Sequence, residues 1–257
     1  MAEVETSRVG GVLTITLNRP DSYNAFTTSM HAALSGALEE AAPEDVRAVV
    51  ITGAGKGFCA GQDVNEFASL QGGTVGEHLE ATYHPNIRAI RSLEKPVIAA
   101  VNGAAAGAGL SLACACDYRI AADGAAFVPG FIGIGLVPDS GGSYFIARLL
   151  GASRAFAWMS SNRRLTAAEA HAWGLVDEVV GADALAARAA ELAADYAARP
   201  TRAIGMTKRL FDHAQTATLD EQLALEGELQ TAATKTADFA EGVSAFLEKR
   251  PPSFTGG

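Results

Sequence analysis

Four short apolar runs recur along the chain: "VRAVVITG" ending in Gly53, "KPVIAAVNG" ending in Gly103, "DYRIAA", and "LVDEVV". Each leads through a loop rich in glycine or other small residues into sequence with helical spacing. That alternation points to an α/β layer structure. Ahead of them, Val12 to Asn18 alternates and is β-branched, which predicts a strand after the Gly10-Gly11 turn, with "EVETSRV" as its hairpin partner. "TTSMHAALSGALEEAA" places apolar residues at helical spacing behind polar threonines and stops before Pro43. Further on, Thr166 and Glu169 form a capping-box pattern, and Gly174 stands where a helix should stop. From Ala182, segments rich in Ala, Leu and Glu, broken at Pro200, predict three or four helices through Lys249, followed by the tail "RPPSFTGG". Helices so rich in alanine pack closely on each other or on a neighbouring subunit. No linker separates the halves and no repeat of fixed period is visible, so the helical end reads as an appendage to one domain.

The 257 residues suffice for one large domain, and with 49% apolar residues a sizeable core is within reach. No apolar run approaches the roughly 20 residues that span a bilayer, and "MAEVETSRVGG" lacks the features of a signal peptide. A soluble, cytoplasmic protein is expected. A net charge of −9 argues against a nucleic-acid surface, while leaving room for a local basic patch that would take a small phosphorylated ligand. Cys59, Cys114 and Cys116 make no disulfide framework, and "LACACDYRI" reads as buried structural cysteines. The histidines lack metal-ligand spacing, so no metal is expected.

The segment "VIAAVNGAAAGAGLSLACACDYRIAAD" invites a dinucleotide reading, with Asp123 twenty positions after Gly103. Its glycine spacing, G-x-x-x-G-x-G, is not the dinucleotide fingerprint, and its helix is only about two turns, short for a parallel crossover. Its glycines must allow some other close backbone approach. "GKGFCAGQDV" and "AAAGAGLSL" both run from a strand through small residues into a helix. Two such turns side by side would offer two N–H donors to one oxygen, the geometry that stabilises an enolate or tetrahedral oxyanion. Tight strand-to-helix turns alone would account for them equally well.

Taken together, "NRPDSYNAF", "FCAGQD", "VIAAVNGAAAGAGLSLACACDYRIAA", "GLVPDSGGS" and "RLTAAEAHAWGLVDEVV" resemble, in order and spacing, the motifs of the enoyl-CoA hydratase/isomerase (crotonase) family across essentially the whole chain. The resemblance implies a crotonase fold of repeated ββα units over residues 1–195, and a C-terminal helical trimerisation region over 196–257. It implies acyl-CoA thioester substrates, a homotrimer or dimer of trimers, and no cofactor, coenzyme A being part of the substrate. It carries the two oxyanion-hole amides to Gln62 and Ala108. Ala25, Ala60, Asp63 and Val64 fall where the family lines the path of the CoA adenine and pantetheine.

Hydrating members of the family carry one glutamate just after the Gly-rich turn and a second twenty residues later. Those places hold Ser111 and Phe131 here. Neither can activate water as a carboxylate does, and Phe131 makes the pocket more apolar, so ordinary hydration is disfavoured. One acid remains, Asp139, in a G-L-x-P-D-x-G-G run that resembles the epoxyphenylacetyl-CoA isomerase branch, as does "EGVSAFLEKRPPSFTGG". In that branch the Asp is the acid/base residue. Packed against Phe131, Ile134 and Leu136 its pKa would rise, while a helix starting at Ser140 to Ser143 would lower it. The residues themselves also admit Asp139 as the N-cap of that helix. An isomerase with one acid/base is expected; a weak hydratase and a non-catalytic acyl-CoA-binding relative are the alternatives. Trp158 and Trp173 are expected to pack in helices; Tyr144, one turn beyond Asp139, either faces the acyl pocket or, the safer reading, packs in the core. Lys249, Arg250 and Phe254 belong to a tail that either touches CoA or is solvated.

Overall fold

The four apolar runs are realised as strands of one sheet, and short strands between them build a second. The structure, a computed structural model, describes residues 2–69 and 74–257. Strands β1 (Val4–Val9) and β2 (Val12–Leu17) form the expected hairpin, Val9 facing Val12 across the turn. Helix α1 (Thr28–Glu39) follows, its start closed by the Thr27 hydroxyl oxygen, which accepts the Met30 amide at 3.1 Å. Next come β3 (Ala48–Gly53), β4 (Gly57–Cys59), α2 (Val64–Ser69), α3 (Val75–Ala81) and α4 (Tyr83–Ser92). The middle of the chain forms β5 (Val97–Val101), β6 (Ala104–Ala106), α5 (Ala108–Ala115), β7 (Tyr118–Ala122), β8 (Ala126–Val128), α6 (Gly142–Leu150) and α7 (Ala152–Ser161). The remainder is β9 (Leu165–Thr166), α8 (Ala167–Ala172), β10 (Glu178–Val180), α9 (Leu185–Ala197), α10 (Thr201–His213), α11 (Leu219–Ala233) and α12 (Ala237–Glu248).

The larger sheet has the order β1-β2-β3-β5-β7-β10, parallel apart from the β1–β2 hairpin; the smaller has the order β4-β6-β8-β9. Helix α9 lies across β2, β3, β5 and β7, while β4 packs against β3 and β5. Strands covered on both faces need continuous apolar sequence, and all five residues of β5 are buried. Three times a long strand of the large sheet is followed by a short strand of the small sheet and then a helix: β3-β4-α2, β5-β6-α5, and β7-β8 leading to α6. The intervals differ, which is why no fixed period shows in the sequence. The objection that a two-turn helix is too short for a parallel crossover fails, since β5 and β7 are parallel neighbours. Strand β6 and its flanking loops lengthen that connection to residues 102–117.

At the C-terminal end, α9 rests on the large sheet and runs past residue 195. Helix α10 is tied to the core by charge: Lys208 Nζ donates to Asp117 at 2.9 Å and to the Ile90 carbonyl at 2.8 Å, and Arg91 bridges Asp117 and Asp212 at 2.7 Å each. The tail is held to the body by hydrogen bonds and ion pairs while most of its residues stay exposed. Buried Asp238 accepts the amides of Thr255 and Gly256 at 2.7 and 2.8 Å, Arg47 donates to the Phe254 carbonyl at 3.0 Å, and Arg250 pairs with Glu241 and Glu248. Trp158 is buried, edge-on to Trp173 at 6.3 Å between ring centroids. Tyr144 departs from expectation: it stays 40% exposed with the Arg148 guanidinium 3.4 Å over its ring, because the face of α6 it occupies points out of the core. All three cysteines are free and buried, and burial pushes the thiols of Cys114 and Cys116 up to about 12, as suits structural residues. Among the described residues no helix is long and apolar enough to cross a membrane.

His31 gives the fold a pH dependence. It is buried on α1, stacked on Phe26 at 4.4 Å and edge-on to Tyr83 at 3.9 Å between centroids, and its Nε2 has no hydrogen-bond partner among the described residues. Burial first, and then nearby His78, lower its pKa from 6.5 to about 3. The unfolded chain therefore binds this proton more readily than the folded one. Stability is full above about pH 6.5 and is lost progressively as pH falls toward 3, by roughly 4–5 kcal/mol at the acid end. Thermal melts across that window should show the loss, and His31→Phe, which keeps the stacking, should flatten it; an unchanged profile would rule out His31 as its source.

Candidate active site

Strands β4, β6 and β8 are parallel neighbours in the small sheet, so the turns that follow them emerge at the same sheet end. These turns carry Gln62, Ala108 and Phe131 respectively. The first two are very close: a Cβ on Gly61 would lie 2.9 Å from the Ala106 carbonyl oxygen and 3.3 Å from the Ala108 nitrogen. Gly107 precedes Ala108 at φ +51° and ψ −125°, a backbone state that side chains rarely permit. It turns the chain so that Ala108 is the first residue of α5, with its N–H among those a helix leaves unpaired. Helix α5 lies tight on β4, since a Cβ on Gly109 would meet the Cys59 carbonyl oxygen at 2.2 Å. Neither the Gln62 N–H nor the Ala108 N–H has a hydrogen-bond acceptor among the described residues. Two amide donors on adjacent turns can hold one anionic oxygen.

The Gln62 turn is braced from two sides. Phe26 pairs with it, donating to the Gly61 carbonyl at 2.7 Å and accepting the Asp63 amide at 2.9 Å. The Gln62 amide group donates to the Phe26 and Asp63 carbonyls, both at 3.3 Å, and its Oε1 accepts the Tyr83 hydroxyl. Tyr83 is buried on α4, and its pKa is pushed well up by burial and then by the charges of Cys59 and Asp139. Asp139 is thus within electrostatic reach of the group that holds Gln62.

Asp139 lies in the loop before α6. The helix starts at Gly142 with Gly141 at its N-cap and no side chain capping it, so the N-cap role open to Asp139 in the sequence is not taken. Instead Ser140, buried and in the left-handed region at φ +51°, donates its hydroxyl to Asp139 Oδ1 at 2.9 Å. The Oδ2 atom has no hydrogen-bond partner among the described residues. Burial raises the Asp139 pKa, against smaller lowering influences from the Ser140 hydroxyl and from His84 on α4. The sequence located this desolvation in Phe131, Ile134 and Leu136. Phe131 is buried, whereas Ile134 is 70% exposed in a 3-10 turn rather than packed as expected. Ser111, in the place of the first missing glutamate, is fully buried on α5 and donates to the Asp139 main-chain carbonyl at 3.0 Å.

The other positions form one neighbourhood beside the Gln62 turn. Ala25 precedes the Phe26 bridge, Ala60 donates to the Tyr23 carbonyl at 3.0 Å, and Val64 is exposed at the start of α2. Asp63 pairs with Arg19 at 3.0 Å, and this contact holds its carboxyl below the ordinary range. A cavity of about 590 Å³ between α6 and α10 includes none of Gln62, Ala108 and Asp139; of its charged lining residues, Arg91, Asp117, Lys208 and Asp212 pair among themselves, Arg119 pairs with Asp177, and Arg148 lies over Tyr144. Tyr83 and Ser140 escaped the sequence reading. Tyr83 is 21 residues from Gln62 and carries no motif of its own; Ser140 sat inside a motif whose neighbouring aspartate drew the attention.

Residues 7–257 match the family described as "Enoyl-CoA hydratase/isomerase". The chain belongs to that family. It is an enzyme of the hydratase/isomerase type, and its fold is the crotonase fold of repeated ββα units with C-terminal helices. This family member is 45% identical to the 1,2-epoxyphenylacetyl-CoA isomerase of Escherichia coli over 250 residues, 96% of this chain and 95% of that one. It is 44% identical over 246 residues to a Rhodobacter capsulatus protein named "Probable enoyl-CoA hydratase", covering 96% and 95%. A crystal structure of an enoyl-CoA hydratase from Mycobacterium smegmatis superposes with TM-score 0.93 at 35% identity, covering 99% of each chain. A relative named as an isomerase and one named as a probable hydratase lie at nearly equal identity, so overall similarity does not choose the reaction; the site residues must.

Proposed function

We infer that this enzyme is an acyl-CoA isomerase that moves a double bond through a thioester enolate, with Asp139 as its one acid/base. The observation that carries this reading is the state of Asp139: a half-buried carboxyl, raised in pKa by desolvation, with one oxygen held by Ser140 and the other unengaged among the described residues. Ser111 and Phe131 stand where a second acid would be needed to activate water. In a 3-enoyl thioester, Asp139 takes a proton from C2 and the electron pair passes toward the thioester oxygen. The N–H groups of Gln62 and Ala108 hold that oxygen as it becomes an enolate. The same carboxyl then returns the proton at C4, leaving the 2-enoyl thioester. Proton count and charge are unchanged overall, and the chemistry calls for no cofactor beyond the CoA of the substrate.

The similarity to a 1,2-epoxyphenylacetyl-CoA isomerase adds ring-epoxide thioesters as a second substrate class. Ala25, Ala60, Asp63 and Val64 form the CoA-facing side of this reading and Phe131 the apolar acyl wall. A homotrimer or dimer of trimers accounts for the apolar side chains left exposed on α12, where Phe246 is 83% and Leu247 73% accessible. The deciding assay supplies 3-enoyl-CoA and 2-enoyl-CoA separately, follows the absorbance of the conjugated thioester, and identifies products by mass. Conjugation of the 3-enoyl substrate without mass change is the expected result. A gain of one water by the 2-enoyl substrate, with no conjugation of the other, would replace isomerisation by hydration.

A further inference from the structure

We propose that Ser111 is a positioning residue, bolting the Asp139 loop to the same helix that presents the Ala108 amide, so that one turn of α5 sets the distance between enolate oxygen and base. The proposal rests on the reading of Asp139 as the base. Helix α5 begins at Ala108, and Ser111 stands three residues on, one helical turn away. The Ser111 hydroxyl donates to the Asp139 carbonyl at 3.0 Å, and the same carbonyl accepts the Gly142 amide at 2.7 Å. One main-chain oxygen therefore joins three elements: the N-terminal turn of α5, the loop carrying the base, and the first residue of α6. Ser111 is fully buried, so this bond does not compete with solvent.

The sequence around the bond is adapted to it. A Cβ on Gly142 would stand 2.5 Å from Ser111 Oγ but at an ordinary contact distance of 3.6 Å from Ser111 Cβ, so it is the hydroxyl alone that requires glycine at this position. The loop needs such a bolt. Ser140 holds a left-handed conformation unusual for a residue with a side chain, and Gly141 follows at φ +80°, so local preference does not keep this segment in place. The small side chain that replaces a water-activating acid thus takes a second part, fixing where the remaining acid stands.

The test is a double-mutant cycle with steady-state kinetics on the 3-enoyl thioester, using Ser111→Ala, Gly142→Ala and the pair, with Asp139→Asn beside them. Ser111→Ala should lower kcat about 10–100-fold and change KM less than about threefold, since a reacting group is displaced while the thioester is still bound. Gly142→Ala, which crowds the same hydroxyl, should produce a loss of similar size. The double variant should be no worse than Ser111→Ala within about twofold, because both changes break one bond. Additive losses, or a higher KM at unchanged kcat, would overturn the positioning role, as would full activity of Ser111→Ala. Melting temperatures identify any variant that fails by unfolding, and for such a variant Ser111→Cys, a near-isosteric weaker donor, should give a kcat between wild type and Ala. If Asp139→Asn keeps its activity, the base assignment itself has failed. If Asp139→Asn is inactive while Ser111→Ala is unimpaired, only the positioning role falls.

Discussion

Asp139→Asn is expected to remove isomerisation almost entirely, lowering kcat by about 10²–10⁴-fold, the usual worth of a positioned acid/base. The substitution keeps the shape of the side chain and an oxygen that can accept from Ser140, but an amide cannot take the C2 proton. Binding of a non-reactive acyl-CoA, followed by calorimetry, should change less than about threefold. Weak binding as well as lost turnover would place Asp139 in substrate recognition instead. The pH profile supplies an independent check. The base works ionised, so kcat/KM should rise with pH through an acid limb set by Asp139. Burial raises that pKa, which puts the limb above the ordinary aspartate value. Ser140 stabilises the anion, so Ser140→Gly, which also relieves the φ of +51°, should move the limb further up. A limb moving down would mean that the Ser140 contact does not act on the ionised form.

Gly109→Ala should be the second most damaging change, although it leaves every acid and base in place. Its Cβ would lie 2.2 Å from the Cys59 carbonyl oxygen and 2.7 Å from the Cys59 Cβ, both on β4, whose three residues are all buried. Helix α5 must shift off β4, and the Ala108 N–H goes with it while the Gln62 N–H stays. Loss of one of two oxyanion donors costs about 10²–10³-fold in kcat, and the overpacking costs about 1–3 kcal/mol of stability. The comparison is Gly124→Ala, in a turn where an added Cβ meets nothing within 4 Å; it should leave rate and melting temperature unaltered. A folded Gly109→Ala enzyme with normal kcat would show that the close packing of α5 on β4 does not hold the donor pair.

Much of this was readable along the chain, and the reason is local. The strands are apolar and β-branched, the capping box of Thr166 and Glu169 is a matter of three residues, and both form as their sequence predicts. The positions of Gln62, Ala108 and Asp139 came from motifs whose residues are contiguous. The errors arose where exposure decides. Ile134 and Tyr144 are apolar enough for a core, yet whether a side chain is buried depends on what packs over it, which no neighbour in sequence specifies. The support of the site was invisible for the same reason: Tyr83 reaches Gln62 across 21 residues and Ser111 reaches Asp139 across 28.

By itself, then, the sequence determined the strand-turn-helix order, the small residues that let backbone approach backbone, and the residue identities Ser111, Phe131 and Asp139 on which the proposed chemistry rests. Only the tertiary structure decided that the Gln62 and Ala108 turns emerge side by side, and that the Asp139 carboxyl is partly desolvated, held by Ser140 and not used to cap the helix beyond it. The division is physical. Backbone preference and hydrophobic pattern act over a few residues, whereas desolvation and the meeting of two loops depend on parallel strand pairing between segments tens of residues apart.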